Sequence, residues 1–117
     1  MITGLSSSIS ALIAFGKKVA VTANNVANLQ SEGFKKSRTL LEERSQGGVA
    51  AEIETVNTPG VVITEEDAQG TVKRELSNVD LEKEIPETIL AEKSYQANLK
   101  TIKTEDEMLG YLLDTKG

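Results

Sequence analysis

The side chains that most often carry catalysis or hold metals are missing from this sequence. It contains no cysteine and no histidine, which excludes disulfides, thiolate metal sites and imidazole bases. Serine, lysine, tyrosine and carboxylates remain for any chemistry. A hydrolase built on them would need an activating pattern, but the sequence has neither a nucleophile-elbow glycine pattern nor a phosphate-binding loop. The composition therefore favours a non-enzymatic protein, and we expect no catalytic residues and no cofactor.

Two acidic clusters are the remaining candidates for a functional site, one for binding calcium and one as a carboxylate pair for a hydrolase. Glu65, Glu66 and Asp67 stand together, but this cluster lacks the alternating Asp/Asn ligands and the distal Glu of a calcium-binding loop. Glu42 and Glu43 form a smaller acidic pair. We interpret both clusters as solvated surface and expect no metal.

Three asparagines crowd the segment TANNVANLQSEGFKK, at positions 24, 25 and 28. Asparagine is a poor helix former because its side chain competes for backbone hydrogen bonds. Its amide both donates and accepts, so it can cap helix carbonyls or satisfy a neighbour's backbone without burying a charge. The cluster is therefore either a frayed helix end or a polar contact surface.

The segment from about Leu5 to Leu29 carries this cluster at its end and has helical periodicity. An apolar residue recurs every seven positions, at Leu5, Leu12, Val19 and Val26, which predicts a striped helix and favours a helical partner. Gly4, Gly16 and a run of three serines weaken the helix intrinsically. A core-facing helix of an ordinary small bundle is the alternative interpretation.

The middle of the chain has β-type signals. Gly47 and Gly48 indicate a hinge. The segment VAAEIETV (residues 49–56), the turn NTPG and the segment VVIT (residues 61–64) predict a hairpin. A second turn, EEDAQG, leads into a possible third strand, TVKREL.

A second helix is predicted from SNVDLEKE to about Leu113. Ser77 and Asp80 have capping-box spacing, and the helix continues with an apolar stripe formed by Leu81, Ile85, Tyr95, Leu99, Ile102, Leu109 and Leu113. Pro86 lacks a backbone donor, so the helix either kinks there or has its regular part start there. The predicted fold is mainly α, with long N- and C-terminal helices pairing as an antiparallel coiled-coil-like unit and a β-hairpin between them. The expected segments are 1–33, 34–76 and 77–117.

Charge and hydropathy limit the classes of partner and the cellular location that the chain can have. Residues 1–48 carry six basic and three acidic side chains, whereas residues 49–117 carry seven basic and fifteen acidic ones. This asymmetry is compatible with pairing of the two parts or with independently solvated faces. The net charge of −5 argues against nucleic acid as a partner. We expect no membrane span and no targeting segment, and these rules by themselves indicate a cytoplasmic protein.

Two motifs resemble those of a known family. VAVTANNVANLQSEGFKKSR is similar to the amino-terminal signature of the bacterial flagellar axial proteins, the rod and hook family, in which an A-N-N-x-A-N segment precedes a glycine-aromatic-lysine element. SNVDLEKEIPETILAEKSYQANLKTIKTEDEMLGYLLD resembles the carboxy-terminal domain of that family, through S-N-V-D-L, S-Y-Q-A-N and D-E-M-L. The resemblance covers over half of the chain.

The resemblance implies a structural subunit of the basal-body rod or hook, whose terminal helices assemble into the axial tube. Implied partners are further copies of itself, other axial proteins and the flagellar export apparatus. The implied location is the extracytoplasmic basal body, reached without a cleaved signal peptide, which replaces the cytoplasmic assignment. The expected assembly residues are Leu12, Val19, Asn25, Val26, Asn28, Gly33, Phe34, Asn78, Val79, Asp80, Leu81, Tyr95, Gln96, Asn98, Leu99, Ile102 and Leu109. Among them, Asn25 and Asn28 are expected to have Asn98 as their counterpart.

Several features depart from the family pattern. Ser31 and Glu32 precede Gly33-Phe34 where the family usually has a threonine-containing pair, and Pro86 replaces an ordinary helical residue. The insert is far shorter than the outer domains of hook or distal rod proteins. Its length is similar to that of a proximal rod subunit, whereas the ending DEMLGYLLDTKG is more hook-like. A small coiled-coil adaptor or assembly regulator derived from the family is the alternative function.

Overall fold

The computed structural model describes residues 2–116. Its elements in chain order are α1 (Ile2–Ala27), β1 (Ser37–Glu43), β2 (Val49–Thr55), β3 (Val62–Asp67), β4 (Gly70–Glu75) and α2 (Leu81–Lys116). The predicted mainly α fold with a β insert is confirmed, although the insert contains two hairpins. The molecule is a rod with extents of 82 × 24 × 17 Å.

The two helices lie side by side and run antiparallel. Gly4 near the start of α1 faces Glu105, Gly16 faces Tyr95, and Asn25 near the end of α1 reaches Glu84 at the start of α2. Whether the side chains interlock as in a coiled coil stays a prediction. Neither helix, over the part of the chain that is described, contains a stretch apolar enough to cross a membrane.

The prediction for the first hairpin was wrong in its partner strand. β2 pairs with β1 from Ser37↔Thr55 to Glu43↔Val49, and not with residues 61–64. Gly47 and Gly48 form the turn of this hairpin and are not a hinge. Both have positive φ, 88° and 92°, a conformation that side-chain-bearing residues rarely adopt. The NTPG turn instead connects the two hairpins.

The second hairpin joins β3 to β4 through a tight turn, with Asp67 opposite Gly70. The predicted EEDAQG turn and third strand therefore correspond to this hairpin, although Glu65, Glu66 and Asp67 belong to β3 itself. Its base is fixed by backbone bonds from Gly33 N–H to Glu75 C=O (2.9 Å) and from Leu76 N–H to Val61 C=O (2.8 Å).

The start of α2 differs from the predicted capping box. The N-cap is Asp80, whose carboxylate accepts the Glu82 N–H at 3.1 Å. Ser77 lies outside the helix and accepts the Val79 N–H at 3.1 Å. The helix runs through Pro86, which is its sixth residue. Regular helical structure therefore begins before the proline.

Ion pairs in and beside the β insert join residues 1–48 to residues 49–117, and one lies within residues 49–117. Ion pairs join Lys35 to Glu75, Arg38 to Glu54, and Arg74 to both Glu32 and Glu65. The hydrogen bonds that Arg74 donates to the carboxylates of Glu65 and Glu32 raise the pKa of Arg74 above its usual value. Because these pairs are partly or largely exposed, each adds little to stability.

Candidate assembly interface

The buried side chains of α1 and α2 are small or polar, and they lie where the helices pack on each other and where α1 packs on the first hairpin. The buried residues of α1 are Ser8, Ala11, Ala14, Thr22 and Asn25, and those of α2 are Glu84 and Ala91. Small residues let the helix backbones approach closely, but they bury little apolar area. Because burial of apolar surface stabilises by roughly 25 cal/mol per Å², this packing contributes little free energy. The pairing within one chain therefore uses only a small part of the apolar surface of the two helices.

The large aliphatic side chains of both helices remain exposed. Ile13 on α1 is 57% exposed, and Leu90 and Leu113 on α2 are 61% and 64% exposed. Other exposed apolar residues on the helices are Ile9, Val26, Leu81, Ile85, Ile89, Tyr95, Leu99, Met108, Leu109, Tyr111 and Leu112. An apolar surface of this extent is typical of a protein that packs against neighbours.

Asn25 is the most buried polar residue of the helix pair, with 1% exposure. Its amide Nδ2 donates to the Ser37 carbonyl (2.6 Å) and its Oδ1 accepts the Ser37 N–H (3.0 Å). Nδ2 also lies 3.4 Å from Glu84 Oε1. Through these bonds, Asn25 joins α1, the start of β1 and α2 within one chain. Its side chain is buried, so it is not available to a neighbouring molecule.

The Glu84 carboxyl, next to Asn25, is 5% exposed. Burial raises its pKa above the usual range, and the hydrogen bond from Asn25 opposes that rise. Glu84 is one of two acidic residues in the first turn of α2, where negative charge complements the positive end of the helix. Its burial depends on the packing of α1, which the local charge pattern does not reveal.

The other two predicted asparagines have local bonds. Asn28 Nδ2 donates to the Asn24 carbonyl at 2.8 Å, which caps the last turn of α1. Asn98 Nδ2 donates to the Ser94 carbonyl at 2.8 Å. Asn98 lies fourteen residues beyond Glu84, about 21 Å along the helix. The structure therefore does not bring Asn98 together with Asn25 within the chain.

Asn78 connects the two hairpins to the start of α2. Its Oδ1 accepts the Lys36 N–H at 2.6 Å, and its Nδ2 donates to the carbonyls of Val56 (2.8 Å) and Thr58 (2.9 Å). Its own N–H donates to the Phe34 carbonyl at 3.2 Å. The SNVDL motif (residues 77–81) thus fixes the position of the two hairpins relative to the start of α2. Val79, within this motif, is buried.

The structure places the predicted assembly residues at different depths. Asn25 and Val79 are buried; half-buried are Leu12, Val19, Asn28, Phe34, Asn78, Asp80, Asn98 and Ile102; exposed are Val26, Gly33, Leu81, Tyr95, Gln96, Leu99 and Leu109. Direct contact with a neighbouring molecule remains a prediction for the half-buried and exposed residues. The predicted assembly residues do not include the exposed apolar side chains of Ile13, Ile89 and Leu90. A helical wheel that counts every aliphatic side chain, rather than one stripe, would have found them.

A concave surface lies where the first hairpin packs on α1. It is an open groove of about 550 Å³, with Ala11, Phe15, Leu41 and Val49 among its apolar lining and Glu42, Glu43 and Asn98 among its polar lining. The hairpin is held there by the Val49 N–H, which donates to Ser10 Oγ at 3.1 Å. We call this surface the acidic groove.

The residues described contain no group of three acidic side chains placed to hold a metal ion. The arrangement offers instead a rigid helix pair, a buried amide junction and a large exposed apolar surface. These features suit binding to other protein surfaces.

Comparison with known proteins gives matches at both ends of the chain. Residues 5–35 match the family model "Flagella basal body rod protein", and residues 68–115 match "Flagellar basal body rod FlgEFG protein C-terminal". Together, these two segments cover most of the sequence in the order expected for the family.

Individual relatives agree with the family models. The flagellar basal-body rod protein FlgG of Bacillus subtilis is 36% identical over 90 residues, which cover 74% of this chain and 31% of the relative. The flagellar hook proteins FlgE of Escherichia coli and Salmonella typhimurium are each 48% identical over 42 residues, which cover 36% of this chain and 10% of each relative. The chain thus spans less than a third of the length of these relatives. On these matches, it belongs to the flagellar rod and hook protein family.

Proposed function

We propose that this chain is a structural subunit of the bacterial flagellar basal-body rod or hook, which assembles through α1 and α2 into the axial tube. The observation that carries the proposal is the division of the helix surfaces. Small and polar residues such as Ala11 and Ala91 are buried between the helices, whereas Ile13, Leu90 and Leu113 are exposed. Burying these side chains against neighbours supplies the free energy of assembly.

The β insert is suited to orient the helix pair in such an assembly. Asn25 and Asn78 attach the insert to α1 and α2 by hydrogen bonds from side-chain amides to the backbone. Amide bonds of this kind fix relative orientation without burying a charge. The insert would therefore turn with the helices as one unit when a neighbour binds.

We further propose that the subunit reaches the extracytoplasmic part of the flagellum through the flagellar export apparatus and contacts other axial proteins there. The family membership supports this location and these partners. The two hairpins make a short insert, similar in length to that of a proximal rod subunit, whereas the ending of α2 is more hook-like, so the proposal covers both rod and hook.

The experiment that tests the proposal is quantitative mass spectrometry of purified hook-basal-body particles from cells that express the chain at its native level. The expected result is co-purification in a fixed ratio to other axial subunits. Absence from the particles in cells that swim normally would overturn the proposal. That result would favour the alternative of an adaptor or assembly regulator derived from the family.

A matched pair of variants links this result to the exposed surface. Leu113→Ser on α2 and Val61→Ser before β3 alter side chains of similar exposure, 64% and 67%. We expect Leu113→Ser to lower the amount of the chain in particles several-fold, and Val61→Ser to leave it unchanged. Equal effects of the two substitutions would contradict assembly through the helices.

A further inference from the structure

We propose that the acidic groove of one copy receives a lysine-flanked strip on α2 of a second copy. This inference rests on the proposed function, because it names the surfaces through which copies of the chain meet. The strip, which we call the lysine strip, consists of Leu99 and Ile102 with Lys100, Lys103 and Gln96 around them.

The two surfaces are complementary in polarity. The apolar lining of the groove includes Phe15 and Leu41, and its charged lining consists of Glu42 and Glu43. The lysine strip presents an apolar centre of similar kind with two ammonium groups beside it. Apolar contact supplies affinity, and the facing charges select the orientation and raise the rate of encounter.

A third carboxylate adds to the negative charge beside the groove. Ser8 lines the groove, and its Oγ donates to Glu105 Oε1 at 3.2 Å. The other oxygen, Oε2, is buried and has no hydrogen-bond partner among residues 2–116. A buried carboxylate oxygen without a partner raises the free energy of the monomer.

One chain cannot fill its own groove. Asn98 on α2 lines the groove, whereas Lys103 and Lys100 are rotated from Asn98 by roughly 140° and 200° around the helix. The two ammonium groups therefore lie away from the groove of their own chain, whereas Leu99 and Ile102, about 100° and 40° from Asn98, lie between the lysines and the groove. The contact joins two different surfaces, and such heterologous contacts produce rings or open helical assemblies instead of closed dimers.

Charge reversal tests the pairing because either surface can be altered alone. The groove variant carries Glu42→Lys with Glu43→Lys, and the strip variant carries Lys100→Glu with Lys103→Glu. All four side chains are exposed, so the fold tolerates both variants, which circular dichroism verifies. The matched control carries Glu52→Lys with Glu66→Lys, two exposed acids outside the groove lining.

Self-association of the purified full chain is measured by sedimentation velocity at increasing concentration, in low and in moderate salt. The wild type is expected to form species larger than dimers. Each reversal variant alone is expected to associate about tenfold or more weakly, because the facing charges then repel. A mixture of the two variants restores attraction at every contact, and so does the variant with all four substitutions. The control is expected to associate like the wild type.

Cross-linking gives an independent measurement, because the chain has no cysteine of its own. A mixture of the Glu43→Cys and Lys103→Cys variants should form a disulfide-linked heterodimer under mild oxidation. A mixture of Glu66→Cys and Lys103→Cys should not. The partner residues must approach within about 7 Å between Cα atoms for this bond to form.

Three results would overturn the inference: a wild type that stays monomeric, charge reversals without effect, or variants that are not rescued by mixing. None of them bears on co-purification of the chain with hook-basal-body particles. Failure of the groove contact is therefore distinguishable from failure of the proposed function.

Discussion

Replacement of Asn25 by alanine is the sharpest test of how the helices and the insert are joined. The substitution removes the amide that binds both backbone groups of Ser37, at 2.6 and 3.0 Å, and that approaches Glu84 at 3.4 Å. It leaves the Ser37 N–H and carbonyl without their partner and Glu84 without its donor. Each unsatisfied buried group costs about 1–3 kcal/mol.

The expected total is near the lower part of the summed range. Ser37 is only half-buried, so water can replace part of the lost bonding. We therefore expect Asn25→Ala to lower the free energy of unfolding by about 3 kcal/mol, the bottom of the range of roughly 3–9 kcal/mol for three unpaired groups. For a chain of this size, that loss is a large fraction of the total stability.

The assay is urea unfolding monitored by circular dichroism at a concentration where the chain is monomeric. Asn24→Ala is the matched control, because Asn24 is exposed and alanine favours the helix. The control is expected to change the free energy of unfolding by less than about 0.5 kcal/mol. A loss below about 1 kcal/mol for Asn25→Ala, or equal losses for both variants, would refute the argument that the buried amide joins three elements.

Three further predictions concern pH and backbone packing. Burial raises the pKa of Glu84 in the folded chain, so folding favours the protonated carboxyl. The contribution of Glu84 to stability is therefore fully present below the unfolded pKa and is lost as pH rises through the folded pKa. Urea titrations should therefore show Glu84→Gln gaining stability relative to the wild type between about pH 4 and pH 7. The bond from Lys35 lowers the pKa of Glu75, so its contribution is present above the unfolded pKa and disappears as pH falls through the folded pKa. Glu75→Gln should consequently be more destabilising at pH 7 than at pH 3, and a flat difference would contradict this. Gly60→Ala would place a methyl group against the Leu76 carbonyl oxygen and should lower the thermal midpoint clearly, whereas Gly110→Ala meets no atom within 4 Å and should gain about 0.5–1 kcal/mol.

The two helices could be predicted from the sequence because their apolar periodicity extends over many residues. The face that each helix buries could not be predicted in this way. The stripe of Leu12, Val19 and Val26 suggested the packing face, but Ala11 and Asn25 are the buried residues. A single sequence does not distinguish apolar residues that face a partner helix in the same chain from those that remain available to a neighbour.

The insert shows a second limit of pattern reading. β1 was not predicted as a strand because its sequence, SRTLLEE, has no regular alternation and both of its faces are largely exposed. Its strand structure depends on pairing with β2 and on the positive φ angles of Gly47 and Gly48. The asparagine cluster was recognised as unusual from residue type, but the partner of Asn25 lies twelve positions away and is fixed by tertiary packing.

The antiparallel helix pair also determines the order in which the molecule can fold. Ser8 and Glu105 are 97 positions apart in the chain, whereas each hairpin closes over fewer than twenty residues. Closing a short loop loses less chain entropy than closing a long one, so the hairpins can form while the helices are still apart. During synthesis, α1 can pack against the first hairpin once residues 37–55 have been made, but it has no helical partner in its own chain until residues 84 to 105 have been made. The face of α1 that α2 covers therefore stays exposed until late in translation, and the helix pair closes last.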